Sequence, residues 1–414
     1  MTTSLDLTAR QRELRSRARR VARDVLRDVK NTAERLPTAE ERFLATRPAY
    51  ERLVAEGFLR TCIPTSAGGE NESLLDTAVV VEELYCENPS VALTLLATVL
   101  GVQPVLFGGT PDQHKRLLAP FLSTSGAPLA AFCYTEPGGS ANAASLPPGE
   151  GVRTRAARVD GQWQINGRKK WVSSATGWQR DGADLLCVVC RTDPAAPPDL
   201  AISIIAVQKP TTGVVLDRVI ESPGYRAHLL PEFSFHDVAA PAENLLGEER
   251  GGLRLAGASF TGATALVGLL GVALMRSAFD HALRFARTEH RGGVVPIIAH
   301  QAVGYALADA KMSIEAVRAL SVRACRAVDA GHPAAAELAN YSKIFGSETA
   351  VRVITDLMRV VGVDSYDDVD PLNGLLQDAL VLPLFSGGNM GVRRRALHAL
   401  LQNPDYDPLT AGEA

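Results

Sequence analysis

Serine, arginine, histidine and a CxxC pair are the side chains here with chemistry within reach, and each has a bland reading beside it. Cys187-Val-Val-Cys190 has the spacing of a metal or redox pair. It lies in the apolar run Asp184–Arg191, and on a strand the two thiols point to opposite faces, so they cannot share a metal. No second CxxC or nearby histidine completes a zinc set, and the pair reads as buried structural thiols. Arg393-Arg-Arg395 places three positive charges on one helical turn, which is normally a solvated face. Ser386 precedes Gly387-Gly388; a serine hydroxyl is a weak base that needs a base of its own to act. The proline and glycines of Thr135-Glu-Pro-Gly-Gly-Ser140 read as a turn. Arg291 follows a helical stretch, where a solvated arginine is common, although a guanidinium forks well onto phosphate. His300 by itself reads as a structural histidine.

The chain that must position these residues has 414 residues, with 46 acidic against 43 basic side chains and a formal charge of −3. At roughly 100–200 residues per domain, that length implies two or three domains. Hydrophobic residues at 46% and charged ones at 21% fit a soluble globular protein and exclude a mainly disordered chain. A sequence pI of about 6.3 argues against a nucleic-acid partner, which calls for a basic excess. Six cysteines are too sparse for a secreted disulfide framework. The first fifteen residues are charged and lack a secretory apolar core. Two uncharged stretches resemble membrane spans. Asn88–Pro111 is interrupted by Gly101, Pro104 and Gly108-Gly109, and Leu255–Met275 carries Ser259, Thr261, Thr264 and four glycines. Both are expected as buried core helices, with no membrane partner and a cytoplasmic location.

Three regions follow from periodicity. To about residue 128 the chain reads helical: an amphipathic stretch through Leu7, Leu14, Val21 and Leu26, then Pro48–Glu56 closed by Gly57, Leu74–Cys86, the stretch after Pro89, and Pro111–Leu122. From 129 to about 243 short alternating or β-branched runs predict strands over Val152–Val159, Gln162–Ile165, Leu185–Arg191, Ala201–Val207, Val214–Val219 and Phe233–Val238. From 244 to 414 four long helical segments, Leu253–Thr288, Gln301–Ala330, Ala334–Val361 and Pro371–Gln402, predict a bundle.

Several separated motifs then resemble one family. Phe132-Cys-Tyr-Thr-Glu-Pro-Gly-Gly-Ser-Ala-Asn142 is similar to the TEPG-type segment of acyl-CoA dehydrogenases, and Lys169-Lys-Trp-Val-Ser173 to their second flavin segment. Arg291 with His300-Gln301 matches the arginine and following glutamine that contact FAD. Ala45–Tyr50, Glu82-Glu-Leu84, Arg291-Gly-Gly293 and Pro383–Arg395 look like the nitroalkane oxidase branch, and the resemblance runs from about residue 5 to residue 407. It implies an acyl-CoA dehydrogenase-like fold: a helical N-terminal domain, a central β-barrel or sandwich, and a C-terminal four-helix bundle. It implies FAD, held with Phe132, Tyr134 and Thr135 at the ring's pyrimidine edge, Ser140 and Asn142 near the pyrophosphate, and Trp171 and Ser173 bordering the ring and N5. Arg291, His300 and Gln301 would meet the FAD of a neighbouring subunit in a homotetramer or dimer. Gly387 and Gly388 fall in the last active-site loop, and Arg393 is directed toward the active site, leaving Arg394 and Arg395 bland.

The chain departs from the family where the reaction needs a base. Acyl-CoA dehydrogenases place a glutamate, and nitroalkane oxidase an aspartate, at the position held here by Ser386. The alternative glutamate site on the first bundle helix, where nitroalkane oxidase has a serine, is Ala263, and no carboxylate lies from Leu253 to Arg276. Proton abstraction would then lack general-base help worth about 10²–10⁴-fold. Asp378 matches a packing residue of the relatives. Three readings stand: a flavin monooxygenase or atypical oxidase of a natural-product type, acting on a small molecule or acyl thioester with a flavin reductase or electron-transfer partner; a dehydrogenase or oxidase with a relocated base or an acidic substrate; and a non-redox flavoprotein scaffold.

Overall fold

The computed structural model describes residues 7–145 and 148–413; the first six residues of the expected helical region, and residue 5 where the resemblance begins, lie outside these. Helix α1 (Ala9–Val21) opens on Thr8, whose hydroxyl accepts the Gln11 N–H while the Gln11 side chain returns to the Thr8 N–H. A π-helical turn, Ala22–Leu26, leads into α2 (Arg27–Ala33). Helix α3 (Ala39–Ala45), which periodicity did not predict, starts with a second reciprocal cap between Thr38 and Glu41. Then come α4 (Arg47–Ala55), α5 (Phe58–Thr61), α6 (Leu74–Glu87) and α7 (Pro89–Gly108). Gly57, at φ +80°, turns the chain between α4 and α5.

Helix α7, expected as a buried core helix after Pro89, runs through both Gly101 and Pro104. Burial explains this: a Cβ on Gly101 would sit 2.4 Å from the Ala130 carbonyl carbon, so the missing side chain lets the helix lie on the backbone of the first strand. The tight packing outweighs poor helix propensity. The expected Pro111–Leu122 helix is two, α8 (Pro111–Leu117) and α9 (Ala119–Leu122); Pro120 at the start of α9 supplies no N–H to continue α8.

The strands are β1 (Ala130–Cys133), β2 (Arg155–Val159), β3 (Gln162–Lys170), β4 (Leu185–Arg191), β5 (Ile202–Gln208), β6 (Val214–Val219), β7 (Pro231–Pro241) and β8 (Leu245–Leu246). They form one sheet in the order β6-β7-β3-β2-β4-β5-β8, with β1 parallel to β4 from Ala130–Leu185 to Cys133–Val188. Strands β1 and β8 were not anticipated. Each is four residues or fewer, below the length at which alternation is visible. Cys187 and Cys190 are free and buried on β4.

The bundle is α10 (Gly252–Thr288), α11 (Gln301–Asp329), α12 (Ala335–Val361), α13 (Pro371–Val381) and α14 (Arg394–Leu401). Helix α10 lies at its centre, against α11, α12, α6 and α7. Both α7 and α10 are long and apolar enough to cross a bilayer, and most of the most apolar stretch of each is buried inside the fold. The fourth expected segment, Pro371–Gln402, is not continuous. It breaks after α13, where Ser386 and Gly387 take positive φ (+51° and +73°), and resumes through a π-helical turn at Asn389–Arg393. The residues of that break are the ones the sequence singles out for chemistry.

Candidate active site

The glycine loop leaves β1 and the Trp171 segment leaves β3, and one buried ion pair ties them together. Glu136 accepts the Arg153 and Thr154 N–H groups at 2.8 and 2.9 Å. It also accepts from Lys169 Nζ at 2.9 Å, and the lysine gives further bonds to the carbonyls of Val189 (2.7 Å) and Tyr134 (3.3 Å). Lys169 is fully buried. Burial works to raise the Glu136 pKa, but Lys169 and the Thr154 donors more than offset it and hold the carboxyl below its usual range. The Lys170 N–H donates to the Thr135 carbonyl at 3.0 Å, completing the junction.

Trp171 emerges from this junction half exposed, with a left-handed backbone at φ +61°. Strained non-glycine backbone of this kind clusters at functional sites. Phe132 and Tyr134 meet Phe260 of α10, with ring centroids at 5.0 and 5.6 Å; Phe260 was not anticipated. Burial raises the Tyr134 pKa, and Arg393 and Arg395 oppose it, so the flavin-like segment faces the last helix of the bundle. Arg395, expected to be bland, reaches across to the Ala141 carbonyl and, at 3.4 Å, to Asn142 Oδ1. Its exposed position on a helical turn concealed a contact made only by the folded glycine loop. Arg394 pairs with Glu348.

Arg393 wraps the break in the bundle. Its Nε donates to the carbonyls of Ser386 (3.0 Å) and Gly387 (3.2 Å), Nη2 donates to Ser386 again at 2.5 Å, and Nη1 reaches Asn340 Oδ1 at 3.5 Å. All these partners are neutral. Among the described residues Arg393 makes no ion pair, and burial pushes its pKa down to about 10. The Ser386 hydroxyl is buried and has no hydrogen-bond partner among the described residues, so none of them is placed to activate it.

Two described acids of this end of the bundle are engaged elsewhere. Asp378 accepts the Tyr225 N–H at 2.6 Å, the packing role anticipated for it. Glu348 is held by Arg394 and by Asn389 Nδ2. Around Ala263, the hydroxyls of Ser259, Thr261 and Thr264 all donate to carbonyls one turn back. Sequence reasoning missed Lys343, fully buried on α12, whose Nζ donates to the Pro383 carbonyl (3.1 Å) and Asn389 Oδ1 (2.5 Å) and so fastens both ends of the break. Burial and then Arg393 push its pKa down to about 7.

The remaining predicted residues lie elsewhere on the bundle. Arg291, at φ +49°, forms an ion pair with Asp364 at 2.8 Å, donates to the Val361 carbonyl and lies over Phe285. His300 precedes α11, and Gln301 begins it and contacts the Tyr305 hydroxyl. All three are exposed.

Helices, then a sheet domain, then a helical bundle, with the glycine loop reaching the bundle's last helix and tied to the Trp171 segment, define a flavin-dependent oxidoreductase of one family. Residues 8–125, 131–238 and 250–401 match the N-terminal, middle and C-terminal domains of acyl-CoA dehydrogenase. The chain belongs to that family, whose members bind FAD. It is 39% identical to nitroalkane oxidase of Podospora anserina, over 98% of each chain, and that enzyme's structure superposes with a TM-score of 0.95 over 100% of each. Cyclohex-1-ene-1-carbonyl-CoA dehydrogenase of Geobacter metallireducens is 29% identical over 91% of this chain and 96% of its own. A further nitroalkane oxidase structure, 33% identical with a TM-score of 0.95 over 99% and 100% of the two chains, addresses the roles of an aspartate and an arginine seven positions apart in that enzyme's reaction. Ser386 and Arg393 are also seven positions apart.

Proposed function

We propose that the chain is an FAD-dependent oxidase acting on a small carbon acid that arrives already ionised, so that no protein carboxylate has to remove a proton. The observation that carries this reading is Arg393, a partly buried guanidinium whose described partners are all uncharged. A buried charge without a counter-ion is costly. An anionic substrate would supply the missing charge where a base carboxylate would otherwise stand.

The residues present fit a flat, acceptor-rich cofactor. Trp171 offers an exposed aromatic face, Gly138 and Gly139 have open space where side chains would project, and the Ser386 hydroxyl is unpartnered. Tyr134 and Thr135 would hold the ring's pyrimidine edge beside Phe132, Ser140 and Asn142 the pyrophosphate, and Trp171 and Ser173 the ring near N5. Gly387 and Gly388 would let the last loop approach closely. Arg291, His300 and Gln301 would reach the FAD of a neighbouring subunit in a homotetramer. FAD would supply a two-electron acceptor; the chain's own residues would bind the anion at Arg393, exclude water and fix its reacting carbon.

Purified protein should be yellow. Under anaerobic conditions the ethyl nitronate anion alone should bleach it, with no nicotinamide or reductase present. Bleaching only by NADH with a flavin reductase would replace this reading with an oxygenase, and bleaching by an acyl-CoA thioester with a dehydrogenase.

A further inference from the structure

Ser173 has a second neighbour that the flavin reading leaves unused. Its Oγ lies 2.8 Å from Nε2 of His228, an imidazole 1% exposed in the connection between β6 and β7. On the other side of the ring, Nδ1 is 2.9 Å from Thr94 Oγ1 on α7. The Thr94 proton is already committed to the Ser90 carbonyl, 3.1 Å away and one turn back. Thr94 Oγ1 therefore accepts, and Nδ1 of His228 carries the proton. The Ser90 carbonyl also favours a proton on this ring. An imidazole protonated at Nδ1 presents a lone pair at Nε2, so Ser173 is the donor in that bond. Burial pushes the His228 pKa down to about 3, which keeps the ring neutral. The segment is stitched in place as well: the Ala227 N–H reaches Ser90 Oγ at 3.4 Å, and the Ser174 N–H donates to the Leu229 carbonyl at 3.0 Å.

We propose that His228 is a positioning residue which, by accepting the Ser173 hydrogen bond at Nε2, leaves Ser173 Oγ with only lone pairs to offer the flavin. The inference rests on the cofactor placement proposed above. Such an oxygen accepts from an N–H and is repelled by a bare ring nitrogen. The reduced ring bears a proton at N5 and the oxidised ring a lone pair there. The chain from Thr94 through His228 to Ser173 thus favours the reduced cofactor and raises its potential. Without His228, the serine hydroxyl turns freely and can donate to the oxidised ring.

The test is the midpoint potential of the bound FAD in wild type, His228→Leu, Ser173→Ala and the double variant, with flavin content measured in each. His228→Leu should shift the equilibrium roughly tenfold toward the oxidised form, a fall of about 30 mV for a two-electron couple. Ser173→Ala should also lower the potential, and the double variant should fall no further than Ser173→Ala. His228→Gln, whose carbonyl can accept the serine proton, should recover part of the shift. A fully flavinated His228→Leu protein at the wild-type potential would overturn the proposal, as would additive shifts in the double variant. If His228→Leu does not fold, the imidazole nitrogen shifts of isotope-labelled wild type decide: a protonated Nδ1 with a bare Nε2 supports the assignment and the reverse contradicts it. Wild type that takes up no FAD would sink the cofactor placement instead, and the same shifts on the flavin-free protein would still judge the tautomer.

Discussion

Lys169 Nζ lies 2.9 Å from Glu136 Oε1 in the protein interior, and through this pair the glycine loop after β1 and the Trp171 segment after β3 are held as one surface. The geometry of the candidate flavin face therefore depends on two buried residues behind its loops' backbone contacts. Each side chain has backbone partners besides the other, which is the condition under which a buried ion pair is tolerated.

Removing one partner leaves a buried charge. Glu136→Gln should destabilise the protein by about 3–5 kcal/mol, read from denaturant midpoints, and lower its flavin content. The effect has a definite pH dependence. Glu136 titrates below its usual range in the folded state, so its contribution is present above the unfolded carboxyl value of about 4.3 and is lost as pH falls through the folded one. The stability gap between wild type and variant should narrow below about pH 4. A constant gap would mean that the carboxylate's charge is not what matters.

Lys343 is shifted in the same direction, but by burial and over a higher pH window. Its folded pKa of about 7 lies below the unfolded value of about 10.4, so between these values the unfolded chain binds the extra proton. Wild-type stability relative to Lys343→Met should rise as pH increases from about 7 to about 10. Parallel stability curves for the two proteins would place the lysine as a charged donor throughout.

Arg393→Ala should weaken the response to an anionic substrate. Charge-assisted bonds of about 1.5–3 kcal/mol correspond to roughly a 10- to 150-fold loss in kcat/KM, measured by anaerobic bleaching against anion concentration. Arg393→Lys should recover little, because an ammonium cannot fork across the Ser386 and Gly387 carbonyls. Full recovery with lysine would reduce the role to charge alone.

Arg291 is paired with Asp364 within the chain. If it turns to a pyrophosphate in the assembly, Arg291→Ala should lower the flavin-to-protein absorbance ratio while Asp364→Asn leaves it intact or raises it. Equal loss in both variants would point to a structural ion pair instead.

Much of the fold was legible because long segments keep one period. Strand β4 was read to its ends, Leu185–Arg191, and the three long bundle helices were read to within about two residues. The break before Asn389 was not legible, since it depends on a serine, not a glycine, taking φ +51°. Neither was the Glu136–Lys169 pair: its members are 33 positions apart, and a Lys-Lys dipeptide reads as surface. His228 stood in a turn-rich stretch with no periodic signal, and its role depends on a hydroxyl from α7 that only folding brings near. The motif loops were legible from resemblance. What joins them was not.

Under the proposed function, Ser386 is the reason an ionised substrate is needed. Flavin bleaching by neutral nitroethane and by its preformed anion, compared anaerobically in wild type and Ser386→Asp, tests this most directly. Arg393 would hold a new carboxylate ionised, as an opposite charge within about 4–6 Å does. Wild type should respond well to the anion and poorly to the neutral compound, and Ser386→Asp should gain activity toward the neutral one. A wild type bleached as fast by neutral nitroethane as by its anion would contradict the account, because a base would then be at work in a site where Ser386 has none.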